Sequence, residues 1–172
     1  GITISINLSA RNLLDAGLHK HFIEQLRSDA GPTEPLMLEI TESAIMADAS
    51  RALEAINRLR DAGFRFSIDD FGTGYSSLAY IKNLPVEEIK IDKSFIINMV
   101  KNPNDAVIVR STIDLVHNLN LKVVAEGVES QDIWDRLSAL GCDEAQGYYM
   151  AKPMPAGDFT RWLHESPRGI SQ

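Results

Sequence analysis

Short apolar segments rich in β-branched residues alternate with longer segments of helical spacing along almost the entire chain. The apolar segments predict six strands, at residues 2–8, 36–40, 65–68, 88–91, 122–125 and in a short stretch that ends at residue 146. The longer segments predict helices at residues 19–28, 50–62, 76–83, 105–118, 131–140 and 156–164. Glycines and prolines stand where these segments should end, at positions 31–32, 63, 85, 141 and 153. This alternation predicts an α/β fold with a parallel sheet covered by helices.

The alternation alone leaves open whether the sheet closes into a barrel or stays open and doubly wound. The ends of the predicted strands favour a barrel, because they carry polar residues that an apolar strand does not need. These residues are Asn7, Glu39, Asp69, Asp70, Lys90, Asp92, Glu126 and Gln146. In βα barrels, catalytic groups collect at the rim formed by the C-terminal ends of the strands, because the loops there are free to vary. We therefore expect this set of residues at one rim.

The composition is that of an ordinary folded domain, since 44% of the residues are hydrophobic and 24% are charged. A length of 172 residues predicts a single domain. The formal net charge of −7 argues against DNA or RNA polymers as partners. Cys142 is the only cysteine, which excludes an internal disulfide and suits the reducing cytosol. The chain has no apolar run of the roughly 18 residues that a membrane span requires.

Acidic residues are concentrated around the predicted rim, close to Lys90. They are Glu39, Glu42, Asp69, Asp70, Asp92, Glu126 and Glu129. Close carboxylates resist joint ionisation, so we expect bound cations to relieve the repulsion. The donors are carboxylate and amide oxygens, which suit Mg²⁺ or Mn²⁺ better than zinc. The four histidines fall in helical segments, and we expect them all on the surface: His19, His21, His117 and His164.

The adjacent pair Asp69-Asp70 is the most informative feature of the rim. Two neighbouring carboxylates can hold two ions a few ångströms apart, an arrangement that suits phosphoryl chemistry. Such ions would polarise a phosphodiester, activate a water molecule and stabilise the leaving oxygen, with Lys90 facing the attacked phosphate.

Structural explanations for single residues stay open beside this interpretation. Glu42, Asp48 and Asp132 are each placed to cap a helix N-terminus. Lys90 could balance the charge of Asp92 alone. The loop of residues 71–77, which contains two glycines, could be a short connection in which residue 76 is the N-cap of the next helix.

Six motifs resemble the EAL family and occur in that family's order. They are NLSA at 7–10, LEITES at 38–43, IDDFGTGYSSL at 68–78, LPVEEIKIDKSFI at 84–96, VVAEGVES at 123–130 and GCDEAQGYYMAKPMP at 141–155. The resemblance covers almost the whole chain. It implies a modified TIM (β/α)₈ barrel that hydrolyses cyclic di-GMP to linear pGpG with two Mg²⁺ or Mn²⁺ ions, and that is inhibited by Ca²⁺.

The resemblance also implies roles for individual residues. Asn7, Glu39 and Asp69 resemble the ligands of a first metal ion, and Asp69, Asp70 and Glu126 those of a second. Lys90 and Glu126 match the positions that act on the attacking water, and Glu42 matches the glutamate that steadies the loop after Asp70. The positions that resemble the substrate contacts are Asp92, Glu129, Gln146, Gly147 and Pro153, with Pro153 packing against guanine.

The chain departs from the family in lacking the Glu-Ala-Leu tripeptide of its first strand. We therefore expect residues 1–165 to be the C-terminal portion of an incomplete barrel with about six βα units, followed by a tail at 166–172. We expect weak activity from this chain alone. The alternatives are a catalytically silent cyclic di-GMP receptor and a dimerisation module that pairs through the loop after Asp70 and the helix after Lys90. The resemblance further implies a bacterial cytoplasmic domain, with a sensor domain, a GGDEF domain or a membrane anchor possible upstream.

Overall fold

The fold is built on one parallel sheet. The computed structural model describes residues 2–28, 36–74 and 78–166. The strands are β1 (Ile4–Asn7), β2 (Leu36–Thr41), β3 (Arg65–Phe71), β4 (Glu88–Ile91), β5 (Lys122–Glu126) and β6 (Glu144–Gln146). Each strand pairs in parallel with the next one in sequence, in the order β1-β2-β3-β4-β5-β6. A doubly wound sheet reverses its strand order at a switch point, and this sheet does not. The fold is therefore an incomplete TIM-like barrel, and the predicted fold class and its six strands are confirmed.

Nine helices connect or follow these strands in the described part of the chain. They are α1 (Ala10–Leu13), α2 (Ala16–Ser28), α3 (Glu42–Ala47), α4 (Ala49–Asp61), α5 (Leu78–Ile81), α6 (Lys93–Asn98), α7 (Pro103–Asn118), α8 (Gln131–Ala139) and α9 (Ala156–Glu165). The short helices α1, α3 and α6 were not among the predicted elements, because four to six residues span too few turns to show a period. The predicted N-cap at residue 76 and the break at residues 31–32 lie outside the described residues.

The two faces of the sheet differ in chemistry. Alternate residues such as Leu38, Phe66 and Ile89 are almost fully buried and pack against the helices in one hydrophobic core. Side chains of this kind contribute about 1.5–3 kcal/mol each through burial. The intervening residues, such as Glu39 and Lys90, point to the opposite, concave face. The helices therefore pack on the outer, apolar face of the sheet, and the charged side chains point to its inner, concave face.

Two expectations about helix residues have clear outcomes. Asp48 caps α4, since its side chain accepts a hydrogen bond from the backbone N–H of Arg51 at 3.2 Å. The prediction that all histidines lie on the surface is wrong for His19, which is 4% exposed because it packs between helices. His117 is on the surface and pairs with Asp143 at 2.9 Å. No helix in the described ranges has both the length and the apolar character needed to cross a bilayer.

Candidate metal centre and active site

Lys90 lies at the centre of the concave face, within reach of three carboxylates. Its Nζ atom is 3.0 Å from Oε1 of Glu39, 3.3 Å from Oδ1 of Asp69 and 2.6 Å from Oε1 of Glu126. The side chain of Lys90 is only 4% exposed. The four residues come from the neighbouring strands β2, β3, β4 and β5, so the sheet itself sets their spacing. The carboxylates outnumber the single ammonium group, which leaves the cluster with an excess of negative charge.

The pKa values in this cluster follow from burial and pairing. Burial lowers the pKa of Lys90, but the hydrogen bonds to Glu126 and Glu39 outweigh it and raise that pKa above its ordinary value. Burial raises the pKa of Glu126, although its hydrogen bond to Lys90 acts in the opposite direction. The pKa of Asp70 is raised by burial and then by the nearby charges of Asp69 and Asp92. At Asp70, burial and the neighbouring carboxylates therefore outweigh the nearby lysines Lys90 and Lys93.

Asp69 and Asp70 lie side by side because β3 is irregular at its end. Successive side chains of a regular strand point to opposite faces, which would separate the two carboxylates. The pairing register between β3 and β4 shifts between Ile68 and Phe71, and Asp70 has a left-handed φ of 54°. As a result, Asp69, Asp70 and Glu126 each offer an oxygen within 4.8 Å of the others. The bulge creates a three-carboxylate group that could hold a divalent cation.

Glu42 anchors the loop that follows Asp70. Its Oε2 atom accepts a hydrogen bond from the backbone N–H of Gly72 at 2.9 Å. Its Oε1 atom is buried without a partner among the described residues, and it faces Gly74, where a Cβ atom would lie 2.9 Å away. Thr73 donates from its hydroxyl group to the carbonyl of Asp70 at 2.9 Å. These contacts fix the backbone beside the metal-binding group.

The other predicted site residues occupy different positions. Asn7 is exposed at the end of β1 and stands beside Glu39 in the strand register. Asp92 is the N-cap of α6, where its carboxylate accepts hydrogen bonds from the backbone N–H of Ser94 at 2.9 Å and from the Ser94 hydroxyl. Asp132 lies in the first turn of α8. Asp92 therefore has a structural task in addition to any role toward substrate.

Two cavities open next to the acidic group and contain the remaining candidates. A cavity of about 360 Å³ is lined by Lys93, Glu126, Gly127, Glu129, Gln146, Gly147 and Tyr148. A second, more apolar cavity of about 480 Å³ includes Pro153, Phe159 and Trp162, and shares Gln146 to Tyr148 with the first. The structure thus brings Glu129, Gln146 and Gly147 together and places Pro153 in the adjoining space.

Sequence reasoning missed Lys93, Gly127 and Tyr148 as lining residues. Lys93 stands two positions after a strand end, as many surface lysines do, so nothing in the sequence predicted it as a lining residue. Gly127 has a φ of 72°, and a Cβ atom there would be 2.6 Å from Cβ of Lys93. A glycine directly after a functional glutamate is the one signal that could have identified this close approach.

Comparison with known proteins gives a consistent result. The family model for the EAL domain matches residues 1–153. The bifunctional diguanylate cyclase/cyclic di-GMP phosphodiesterase MucR of Pseudomonas aeruginosa is 44% identical over 153 residues, which are 89% of this chain and 22% of that protein. The cyclic di-GMP phosphodiesterase PdeB of Shewanella oneidensis is 38% identical over 91% of this chain and 18% of its own length. The chain spans about a fifth of the length of these curated relatives.

Solved structures agree with the sequence comparison. The phosphodiesterase of P. aeruginosa MucR in complex with cyclic di-GMP superposes with a TM-score of 0.87 at 43% identity, over 91% of this chain and 64% of that one. Klebsiella pneumoniae BlrP1, in a complex with manganese and cyclic di-GMP, gives a TM-score of 0.80 at 27% identity over 88% of this chain and 39% of that one.

Proposed function

The chain belongs to the EAL domain family, and from this premise we propose that it is the catalytic part of a phosphodiesterase that converts cyclic di-GMP to linear pGpG. The observation that carries the proposal is the meeting of Asp69, Asp70 and Glu126 beside the buried Lys90. The similar MucR and PdeB are named cyclic di-GMP phosphodiesterases. Their names describe whole proteins, so the activity of this chain stands as a proposal.

The residues present fit a site for two Mg²⁺ or Mn²⁺ ions. Asn7, Glu39 and Asp69 would hold one ion, and Asp69, Asp70 and Glu126 the other. All of these donors are oxygens, as hard cations require, and their excess negative charge is what such ions would neutralise. When bound, the ions would supply Lewis-acid activation of water and of the phosphate. We propose that Ca²⁺ inhibits, because it prefers longer bonds and more ligands than Mg²⁺ does.

The chain's own residues would position and protonate the reacting groups. Water adds to one phosphodiester bond: its oxygen bonds to phosphorus, the bond from phosphorus to the 3′-oxygen breaks, and that oxygen takes up a proton. Glu126, whose pKa burial raises, would accept the proton of the attacking water. Lys90 stays protonated, because Glu126 and Glu39 raise its pKa, and would orient the water or a phosphate oxygen.

The two adjoining cavities are proposed to bind the nucleotide. Glu129, Gln146 and Gly147 line the polar one and would contact the edges of guanine and the ribose. Pro153, with Trp162 and Phe159 nearby, lines the apolar one and would pack against a base. Asp92 would support this region by holding the start of α6.

An apolar surface around α6 favours self-association as a second property. Ile97 and Val100 are 38% and 39% exposed, and Val107 on the adjacent α7 is 62% exposed. The ring of Phe95 on α6 packs against Gly72, where a Cβ atom would be 3.1 Å away. We propose a homodimer that forms through α6 and the loop after Asp70, in a parent protein with a sensor or GGDEF domain upstream. Analytical ultracentrifugation would test this proposal: we expect the unaltered chain to sediment as a dimer and the Ile97→Glu variant as a monomer. The same sedimentation for both would argue against a dimer through α6.

The activity test uses the chain and a version extended upstream by its native sequence. Each is incubated with cyclic di-GMP and Mg²⁺, and pGpG is followed by chromatography. We expect slow turnover by the chain alone, because the sheet has unpaired edges at β1 and β6 in the described structure, and faster turnover by the extended version. An extended version that binds cyclic di-GMP in calorimetry without producing pGpG would establish the silent-receptor alternative instead. An extended version that neither binds nor hydrolyses cyclic di-GMP would reject both the enzyme and the receptor proposals.

A further inference from the structure

His19 carries a buried imidazole ring on helix α2. It is 4% exposed, and neither Nδ1 nor Nε2 has a hydrogen-bond partner among the described residues. At least one ring nitrogen of a histidine carries a hydrogen at any pH. A buried donor or acceptor left unpaired costs free energy, so buried polar groups are nearly always satisfied by protein, water or a bound group.

The imidazole lines a cavity on the outer side of the fold. This cavity of about 160 Å³ lies between α2 and α4, and its polar lining is His19, Arg51, Glu54 and Arg58. The helices cover the apolar face of the sheet, whereas Lys90 and its carboxylates lie on the concave face. The cavity is therefore separate from the acidic centre and does not depend on the proposed function.

The charges around the cavity favour an anion over a cation. Arg51 contacts Asp48 only at 3.9 Å, and Arg58 forms no salt bridge within the described ranges. Glu54 forms no salt bridge with either arginine in that same part of the structure, so both guanidinium groups keep donors for another acceptor. Among the described residues, the side chains grouped closely enough to hold a metal ion are Asp69, Asp70 and Glu126. The side chains around His19 are not such a group.

We propose that this cavity binds a small oxyanion, either inorganic phosphate or the phosphate group of a small phosphomonoester. An N–H group of His19 would donate to one oxygen, and the guanidinium groups of Arg51 and Arg58 would bind the others. The cavity is less than half the volume of the one at Glu126, so a dinucleotide would not fit inside it. Inorganic phosphate and the phosphate end of a mononucleotide share the chemistry that this site recognises.

The test is a titration of the 172-residue chain, followed through the ring signals of its histidines by NMR at constant ionic strength. Sodium phosphate is the probe, and guanosine 5′-monophosphate is used in a second arm. We expect a saturable shift of the His19 ring with a dissociation constant on the order of 1 mM, and little shift of the exposed His21 on the same helix. Saturation by phosphate alone identifies the free ion as ligand, whereas tighter binding of the nucleotide identifies a phosphomonoester.

Matched variants decide whether the cavity is responsible. Arg58→Gln removes one guanidinium group from the lining and should weaken phosphate binding about tenfold. Arg60→Gln, on the same helix but paired with Asp61 at 3.7 Å outside the cavity, should change the affinity less than about twofold. Both arginines are exposed, so neither variant threatens the fold. Absence of a saturable shift, or equal effects of the two variants, would overturn the proposal.

Discussion

Gly147 lies directly on the backbone of Val128, so closely that a Cβ atom at position 147 would overlap the carbonyl oxygen and the nitrogen of Val128. Two backbone hydrogen bonds secure this approach: the N–H of Val128 donates to the carbonyl of Gln146 at 3.0 Å, and the N–H of Tyr149 donates to the carbonyl of Val128 at 2.9 Å. The loops after β5 and β6 are thereby joined at the floor of the proposed nucleotide cavity.

Replacing Gly147 by alanine should therefore separate these two loops. We expect Gly147→Ala to lower the free energy of unfolding by about 2 kcal/mol or more, since backbone atoms must shift to admit the methyl group. Gly157→Ala is the control, because nothing lies within 4 Å of a Cβ atom there. That change, in helix α9, should instead stabilise by up to about 1 kcal/mol. Urea denaturation of both variants is the measurement, and equal effects would refute the close packing.

Removing the charge of Lys90 should destabilise the fold most when metal is absent. Lys90→Met leaves Glu39, Asp69 and Glu126 without their shared counter-ion, at an expected cost of about 3–5 kcal/mol with a chelator present. Mg²⁺ should recover part of this loss. Lys122→Met is the control, because Lys122 is 58% exposed and pairs with Glu144 at the surface, so it should cost about 1 kcal/mol or less. A similar loss for both lysines would show that the buried cluster has no special demand for positive charge.

Glu42 should act through the position of the loop after Asp70. Glu42→Ala removes the acceptor of the Gly72 N–H, and kcat of the upstream-extended version should fall by up to about a hundredfold, since small misplacements of reacting groups have effects of that size. Glu42→Gln keeps an oxygen acceptor and should lose less. Glu24→Ala, at an exposed position of α2 where Glu24 pairs with Lys20 at 3.9 Å, should leave kcat unchanged. If Glu42→Gln were as impaired as Glu42→Ala, the carboxylate charge rather than the hydrogen bond would be the important property.

Asp143 should make stability depend on pH in the acid range. Burial acts to raise its pKa, but the hydrogen bonds from the Val123 N–H and from His117 outweigh it and lower that pKa below the ordinary 3.8. Its contribution to stability is therefore complete above about pH 3.8 and is lost as the pH falls through the lower, folded pKa. The difference in melting temperature between the wild type and Asp143→Asn should shrink over that range. A difference that stays constant from pH 6 to pH 3 would contradict this assignment.

The strands could be predicted from the sequence because each is marked by a short run of neighbouring residues. Short apolar segments such as 36–40 and 65–68 identify buried strands, because runs of this length between turn residues are typical of a parallel sheet. The polar residues at strand ends likewise report one rim, and the structure brings Glu39, Asp69 and Glu126 to a single lysine there.

Other features depend on geometry that no local pattern encodes. The bulge that turns Asp69 and Asp70 to the same side requires a register shift against β4, which only the paired strands define. The burial of His19 depends on how α2 packs against α4. Asp92 caps helix α6, and this helix is too short to show a period in the sequence.

Counting the Mn²⁺ ions bound by the chain would show whether Asp69, Asp70 and Glu126 hold divalent cations. Electron paramagnetic resonance of free Mn²⁺ during a titration of the chain gives the number bound. We expect saturable Mn²⁺ binding that is displaced by Mg²⁺. Asp70→Asn should weaken this binding about tenfold or more, and Asp48→Asn should leave it unchanged. If no Mn²⁺ bound, or if Asp70→Asn bound Mn²⁺ as tightly as the unaltered chain, these three carboxylates would not form a metal site.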